Sequence, residues 1–88
     1  MAERYEVLAK VISQKGTCVA GHKVDDEWVF GENTPAGICF SAFNGLFPEA
    51  HVLMYGGSLP WETAPGVIRV ACPDAENPVV FELRRVEK

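Results

Sequence analysis

Tyr5-Glu6-Val7-Leu8-Ala9-Lys10-Val11-Ile12 decides the fold class of this 88-residue chain. Tyr5, Val7, Ala9 and Val11 alternate with Glu6, Leu8, Lys10 and Ile12, so one face is apolar and the other half-polar at period two. A strand lying on a core has this pattern, and Gln14-Lys15-Gly16-Thr17 breaks it. The far end of the chain repeats it. From Val79 to Val86, Val79, Phe81 and Leu83 face one way while Glu82 and Arg84 face the other. Two strands of matched length and alternation are expected to lie antiparallel at or near the centre of a sheet. A second strand is predicted from Val24 to Phe30, with Val24, Trp28 and Phe30 in one phase and Gly31-Glu32-Asn33 closing it. Pro65-Gly66 turns the chain into Val67–Cys72, where Ile68, Val70 and Cys72 oppose Arg69, and Pro73 to Pro78 form the next turn.

The remaining periodic stretch is helical. Thr34-Pro35 has the form of a helix start, threonine as N-cap and proline at the first helical position. Ile38, Cys39, Ala42, Phe43, Leu46 and Phe47 then make a wide apolar stripe at the 3.6 period, and Pro48 is expected to end it. Gly45 costs this helix roughly 1 kcal/mol relative to alanine, so the helix depends on packing. His51 to Tyr55 is expected to be extended, and Gly56-Gly57-Ser58-Leu59-Pro60-Trp61 to be loop. The prediction is one α+β domain spanning residues 1–88. It has about four mostly antiparallel strands, flat or curled, and one main helix near residues 35–47.

Composition bounds the function. A chain this short buries only roughly 60–65% of its unfolded surface, so a bound metal or a second copy of the chain would supplement a thin core. Apolar residues make up 48% of the chain, which suits a globular fold rather than a disordered one. A net charge of −4 and a pI near 5.0 argue against nucleic acid as a partner. The one tight basic cluster, Arg84-Arg85 with Lys88, is expected to be a solvated tail. Met1 to Tyr5 show no signal-peptide character, and no apolar run approaches the roughly 18–20 residues that span a membrane. The expectation is a cytoplasmic protein with no membrane partner. There its three cysteines, an odd number, stay reduced and form no disulfide scaffold.

Those cysteines, Cys18, Cys39 and Cys72, together with His22, are the candidate site. Cys18 and His22 lie four apart in a loop containing Gly21, which lets the backbone curl. Cys39 lies on the inward stripe of the helix in its first turns, where free amides favour a thiolate. Cys72 ends a strand on the inward phase. Three thiolates and an imidazole are a tetrahedral zinc set, with ligand atoms roughly 3.3–4 Å apart if they converge. The paired-cysteine knuckles of most structural zinc sites are absent. Zinc binding through Cys18, His22, Cys39 and Cys72 is the leading expectation. One alternative is an activated thiol, Cys39 or Cys18, with His22 as its base and Asp25, Asp26 or Asp74 as orienting carboxylate. Another is three small buried residues of a core. Tyr55, Gly56, Gly57 and Trp61 form a second candidate, lining a pocket for a small molecule or presenting a surface to a protein partner. The exposed Met54-Tyr55 and Leu59–Trp61 segments make a homo-oligomer a further expectation.

Val11 to Cys18, Gly21-His22-Lys23-Val24, Ile38-Cys39 with Ser41-Ala42-Phe43, Leu53 to Gly57, Leu59-Pro60-Trp61 and Ala71-Cys72-Pro73-Asp74 carry a resemblance. Over nearly its whole length the chain resembles a family of small uncharacterised prokaryotic proteins of about 90 residues. Their marks are Cys-x-x-Gly-His-Lys and Cys-Pro-Asp. The resemblance implies that the cysteine, histidine, Gly-Gly and Pro-Trp positions form a pattern, and it implies no activity. The chain departs from that pattern at Asp25, where glycine is expected, and at Phe40, where proline is expected.

Overall fold

The computed structural model describes residues 5–18, 20–62 and 64–86. In chain order it has β1 (Glu6–Gln14), β2 (Glu27–Phe30), α1 (Phe40–Met54), β3 (Val67–Ala71) and β4 (Val79–Val86). The strands form an open antiparallel sheet in the order β2-β1-β4-β3. The α+β class and the central antiparallel pairing of the first and last strands are as the alternation predicts. Val7 faces Arg85, Ala9 faces Leu83 and Val11 faces Phe81. Between Val11 and Ser13 the register shifts, so β1 carries a bulge at Ile12.

One face of the sheet takes the helix and the other faces solvent. Val7, Ala9, Val11, Ile68, Val79, Phe81 and Leu83 are buried against Ala42, Leu46, Ala50, Leu53 and Met54 of α1. On the open face, register aligns Glu27, Lys10, Glu82 and Arg69 across all four strands. Opposite charges directly across a ladder stabilise it, and a one-residue slip would carry that row into the core.

The helix differs from its prediction at both ends. It begins at Phe40 rather than Pro35, because Gly37 has φ +86°, a left-handed conformation that no helix continues through. It then runs through Pro48 to Met54, so His51 to Met54 are helical rather than extended. A mid-helix proline costs about 3 kcal/mol. Past it lie Ala50, Leu53 and Met54, all buried, and fully burying a leucine or methionine contributes about 1.5–3 kcal/mol each. Burial outweighs the lost hydrogen bond. Phe43 is half-buried, packed edge-on against Phe30 at 5.5 Å, and the fully buried residue of the stripe is Leu46. Arg85 is no solvated tail. Its guanidinium donates to the carbonyls of Leu53 (3.0 Å) and Gly57 (2.8 Å), closing the C-terminal end of α1. Lys88 lies outside the described residues.

β2 begins at Glu27 rather than Val24, which is half-exposed in a turn. The cause is Asp25, whose φ of +77° is the single positive value at a non-glycine residue among the described residues. Asp25→Gly should relieve this and raise stability by about 0.5–1 kcal/mol, less any loss of its exposed pairing with Lys10. Phe40 is the first helical residue, where a proline would lose no helical bond, and Cys39 before it has ψ 135°, the conformation a following proline requires. Phe40→Pro should therefore also stabilise, by about 0.4–1 kcal/mol, whereas Leu46→Ala should cost about 2–5 kcal/mol. Urea denaturation of the three variants checks all three signs.

Candidate functional site

Cys18, Cys39 and Cys72 reach one cleft from three directions. Cys18 follows β1 and opens a turn in which the Gly21 N–H donates to its carbonyl at 2.9 Å, with Gly21 at φ +80°. Cys39 is the N-cap of α1. Cys72 follows β3, its N–H donating to the Val79 carbonyl at 2.8 Å while its sulfur accepts from the Val79 N–H at 3.2 Å. All three are free, half-buried thiols packed against the core. The cleft they line measures about 250 Å³ and is completed by Ser41, Asp74 and Asn77.

The walls are held by short-range polar bonds. Asp74 accepts from the backbone N–H groups of Glu76 and Asn77 at 3.0 and 3.1 Å, as expected of a turn former after Pro73. These bonds, Asn77 first, hold its carboxyl below the ordinary aspartate value. Asn77 in turn accepts the Thr17 N–H at 2.9 Å, tying the loop before Cys18 to the turn after Cys72. Asp26 is likewise lowered, first by the Lys23 N–H that it accepts at 3.0 Å, which braces the segment after His22. Asn77 and Ser41 had no sequence signal beyond a polar residue in a turn and one near a helix start.

His22 sits differently from its expected companions. It is only 6% exposed and packs edge-on to Trp28 (4.6 Å between ring centroids) and against Phe81 (6.5 Å). Its Nε2 accepts the Cys39 N–H at 2.9 Å, so that nitrogen is unprotonated and its lone pair is committed. His22 is not among the residues lining the cleft. Among the described residues, no group of three or more His, Cys, Asp or Glu is arranged to hold a metal ion. The structure brings the three cysteines to one cleft and sets the histidine behind the helix cap. The helix has no side-chain cap from its own N-cap residue and no acidic residue in its first turn, so the imidazole is the external anchor of that end.

The second candidate set divides. Tyr55 lines a groove on another side of α1. Gly56 and Gly57 close the helix, donating to the carbonyls of Leu53 and Val52 at 3.1 and 2.8 Å. A side chain on Gly57 would come within 2.8 Å of Val52 Cγ1 and 3.0 Å of its carbonyl oxygen, which accounts for glycine there on packing grounds alone. Trp61 is 72% exposed and belongs to neither the cleft nor the groove. Asp25 is exposed in its turn, paired with Lys10.

No helix among the described residues is long and apolar enough to cross a membrane. Compared with protein-family models, curated proteins and solved structures, the chain finds no match.

His22→Phe tests the brace. It keeps an aromatic ring between Trp28 and Phe81 but leaves the half-buried Cys39 N–H without its acceptor, so stability should fall by about 1–3 kcal/mol. The change should also speed hydrogen exchange at the Cys39 amide, measurable by NMR.

Proposed function

We propose that this chain is a small binding protein that takes a transition metal ion, zinc, in the cleft lined by Cys18, Cys39 and Cys72. One observation carries the reading: three free thiols from segments far apart in sequence open on the same cleft. Thiolate sulfur is a favoured donor for zinc. Cys18 is on a loop and can move onto an ion, while Cys72 is held at the end of β3 by Val79 and Cys39 at the helix cap by His22. In this reading the histidine is a brace, and a three-sulfur ion keeps its fourth position for an added ligand, as three-ligand zinc sites do. Binding would cross-link the first loop, the helix cap and the β3–β4 turn of a domain whose core has only one helical layer. The sulfurs must be reduced to bind, which suits the cytoplasm.

A second reading uses the same cleft for thiol chemistry on a small molecule, and the observation that favours it is that the sulfurs are not gathered into a ligating cluster. Metal analysis of protein purified without an affinity tag separates the two. About one zinc per chain is expected, with single Cys18→Ser, Cys39→Ser and Cys72→Ser changes each weakening binding at least about tenfold. His22→Gln, which retains an acceptor for the Cys39 N–H, should leave the stoichiometry unchanged. Failure to take up zinc from a chelator-buffered solution, with all three thiols open to alkylation, would replace the metal reading with the thiol one.

A further inference from the structure

We propose that the open face of the sheet is an interface between two copies of this chain. The copies pack face to face about a two-fold axis that runs along the strands, between β1 and β4. The row of residues crossing all four strands reads Glu27, Lys10, Glu82, Arg69, negative and positive in alternation. Turned end for end, this row is its own complement. The axis along the strands brings Glu27 over Arg69 of the second copy and Lys10 over its Glu82, and symmetry makes each contact twice. An axis along the row would instead set every charge over its own like, which repels. Electrostatics thus selects both the occupant and its orientation.

The two ends of the row have capacity to spare. The Glu27 carboxylate makes no ion pair or side-chain hydrogen bond among the described residues. Arg69 gives its Nε to Glu62 at 3.2 Å, and its two terminal nitrogens, on a half-exposed side chain, have no partner among the described residues. Glu27 and Arg69 stand on opposite edge strands, three strand spacings or about 14 Å apart. They cannot meet within one chain, and they do meet across the axis. The inner residues keep neighbours of their own, Asp25 at 3.5 Å from Lys10 and Arg84 at 3.1 Å from Glu82. An ammonium has three donors and a carboxylate about four acceptor sites, so neither is used up. The same face is also apolar. Val29 is 48% exposed, Ile12 38% and Val86 37%, and half-buried Leu8 lies directly opposite Val29. Single exposed apolar residues need no cover, whereas several on one face mark an interface. Strands stacked about this axis run parallel, the aligned packing of two sheets, and each copy supplies the layer that the other's open face lacks. The face shares no residue with the cysteine cleft.

Sedimentation equilibrium of the full-length protein tests this, with chelator and reductant present so that neither zinc nor a disulfide joins the copies. A face four strands wide is at the small end of protein interfaces, so dimers should grow in between about 10 µM and about 1 mM. Glu27→Arg and Arg69→Glu should each weaken self-association at least about tenfold, because each homodimer then holds two like-charge contacts. Mixed in equal amounts, the two variants should associate with each other about as the parent does, since both contacts are opposite again. Amide NMR checks the fold of each variant and should place the parent's concentration-dependent shifts on Leu8, Lys10, Val29 and Glu82. A parent that stays monomeric at about 1 mM, a Glu27→Arg variant that dimerises as the parent does, or shifts centred on Trp61 would each overturn the proposal. So would two folded variants that fail to associate when mixed. If Arg69→Glu does not fold once its bond to Glu62 is lost, Glu27→Arg, which breaks no side-chain bond, decides alone.

Discussion

One helix covering one face of four strands is the constraint under which the rest of this molecule is arranged. Phe81 and Leu83 of β4, with Val7, Ala9 and Val11 of β1, are buried in one cluster with Ala42, Leu46, Ala50, Leu53 and Met54 of α1, and the rings of His22 and Trp28 pack on Phe81 at its edge. The helix must therefore span the sheet, and it does so at the cost of a proline in its middle. Its ends are not left to intrinsic propensity. Arg85 satisfies carbonyls at the C-terminal end, and His22 anchors the cap at the other. Both anchors come from chain segments far from the helix, so helix and sheet hold each other in register rather than forming separately.

The His22–Cys39 bond joins that packing problem to the cleft. A buried imidazole between Trp28 and Phe81 has a satisfied nitrogen only while the helix cap stays where it is, and losing either partner strands a polar group. The same bond fixes the backbone of one of the three cysteines. Cys72 is tied through Val79, and the loop before Cys18 is tied through Asn77. The three thiols thus differ in freedom. Cys39 is set by the core, Cys72 by a strand end, and Cys18 by a turn that β1 releases after its bulge. A ligand that gathers them would do so mainly by moving the first loop.

How much of this was legible in the sequence follows from the range of the interactions concerned. β1 and β4 were readable because period-two alternation is a local record of which side is buried, and β3 was readable for the same reason. Cys39 and Cys72 were expected inside a helix and a strand; Cys39 is instead the N-cap of α1 and Cys72 follows β3, and both are half-buried against the core. The start of β2 was not readable, since Val24 fits the alternation and only the left-handed Asp25 removes it from the strand. The helix was misread at Pro48 because the usual cost of proline is a local quantity, whereas the burial of Leu53 and Met54 that overrides it depends on the sheet. His22 was readable as important and not as a brace. Whether an imidazole faces a metal, a base or a backbone amide is decided by which segment lies over it, and no spacing rule carries that.

Correcting the helix also changes what its surface offers. Ended at Pro48, the stripe holds Phe43 and Phe47 alone; carried to Met54, it gains His51 and abuts Tyr55, and two aromatic residues become a ladder of four rings. The helix then borders a different space at each of its two ends. The N-terminal end, where His22 accepts the Cys39 N–H, lies by the cleft of the three thiols. The C-terminal half, with its ladder of rings, lies by the groove. Because the helix is held at one end by His22, from the loop between β1 and β2, and at the other by Arg85 of β4, any shift of its cap must be transmitted along its axis or absorbed at Pro48, where one backbone hydrogen bond is already missing. A proline that costs the helix stability is therefore also the place where such a shift can be absorbed, while in the N-terminal half Gly45 faces Pro73 of the turn after Cys72, which even an added Cβ would meet at an ordinary 3.6 Å.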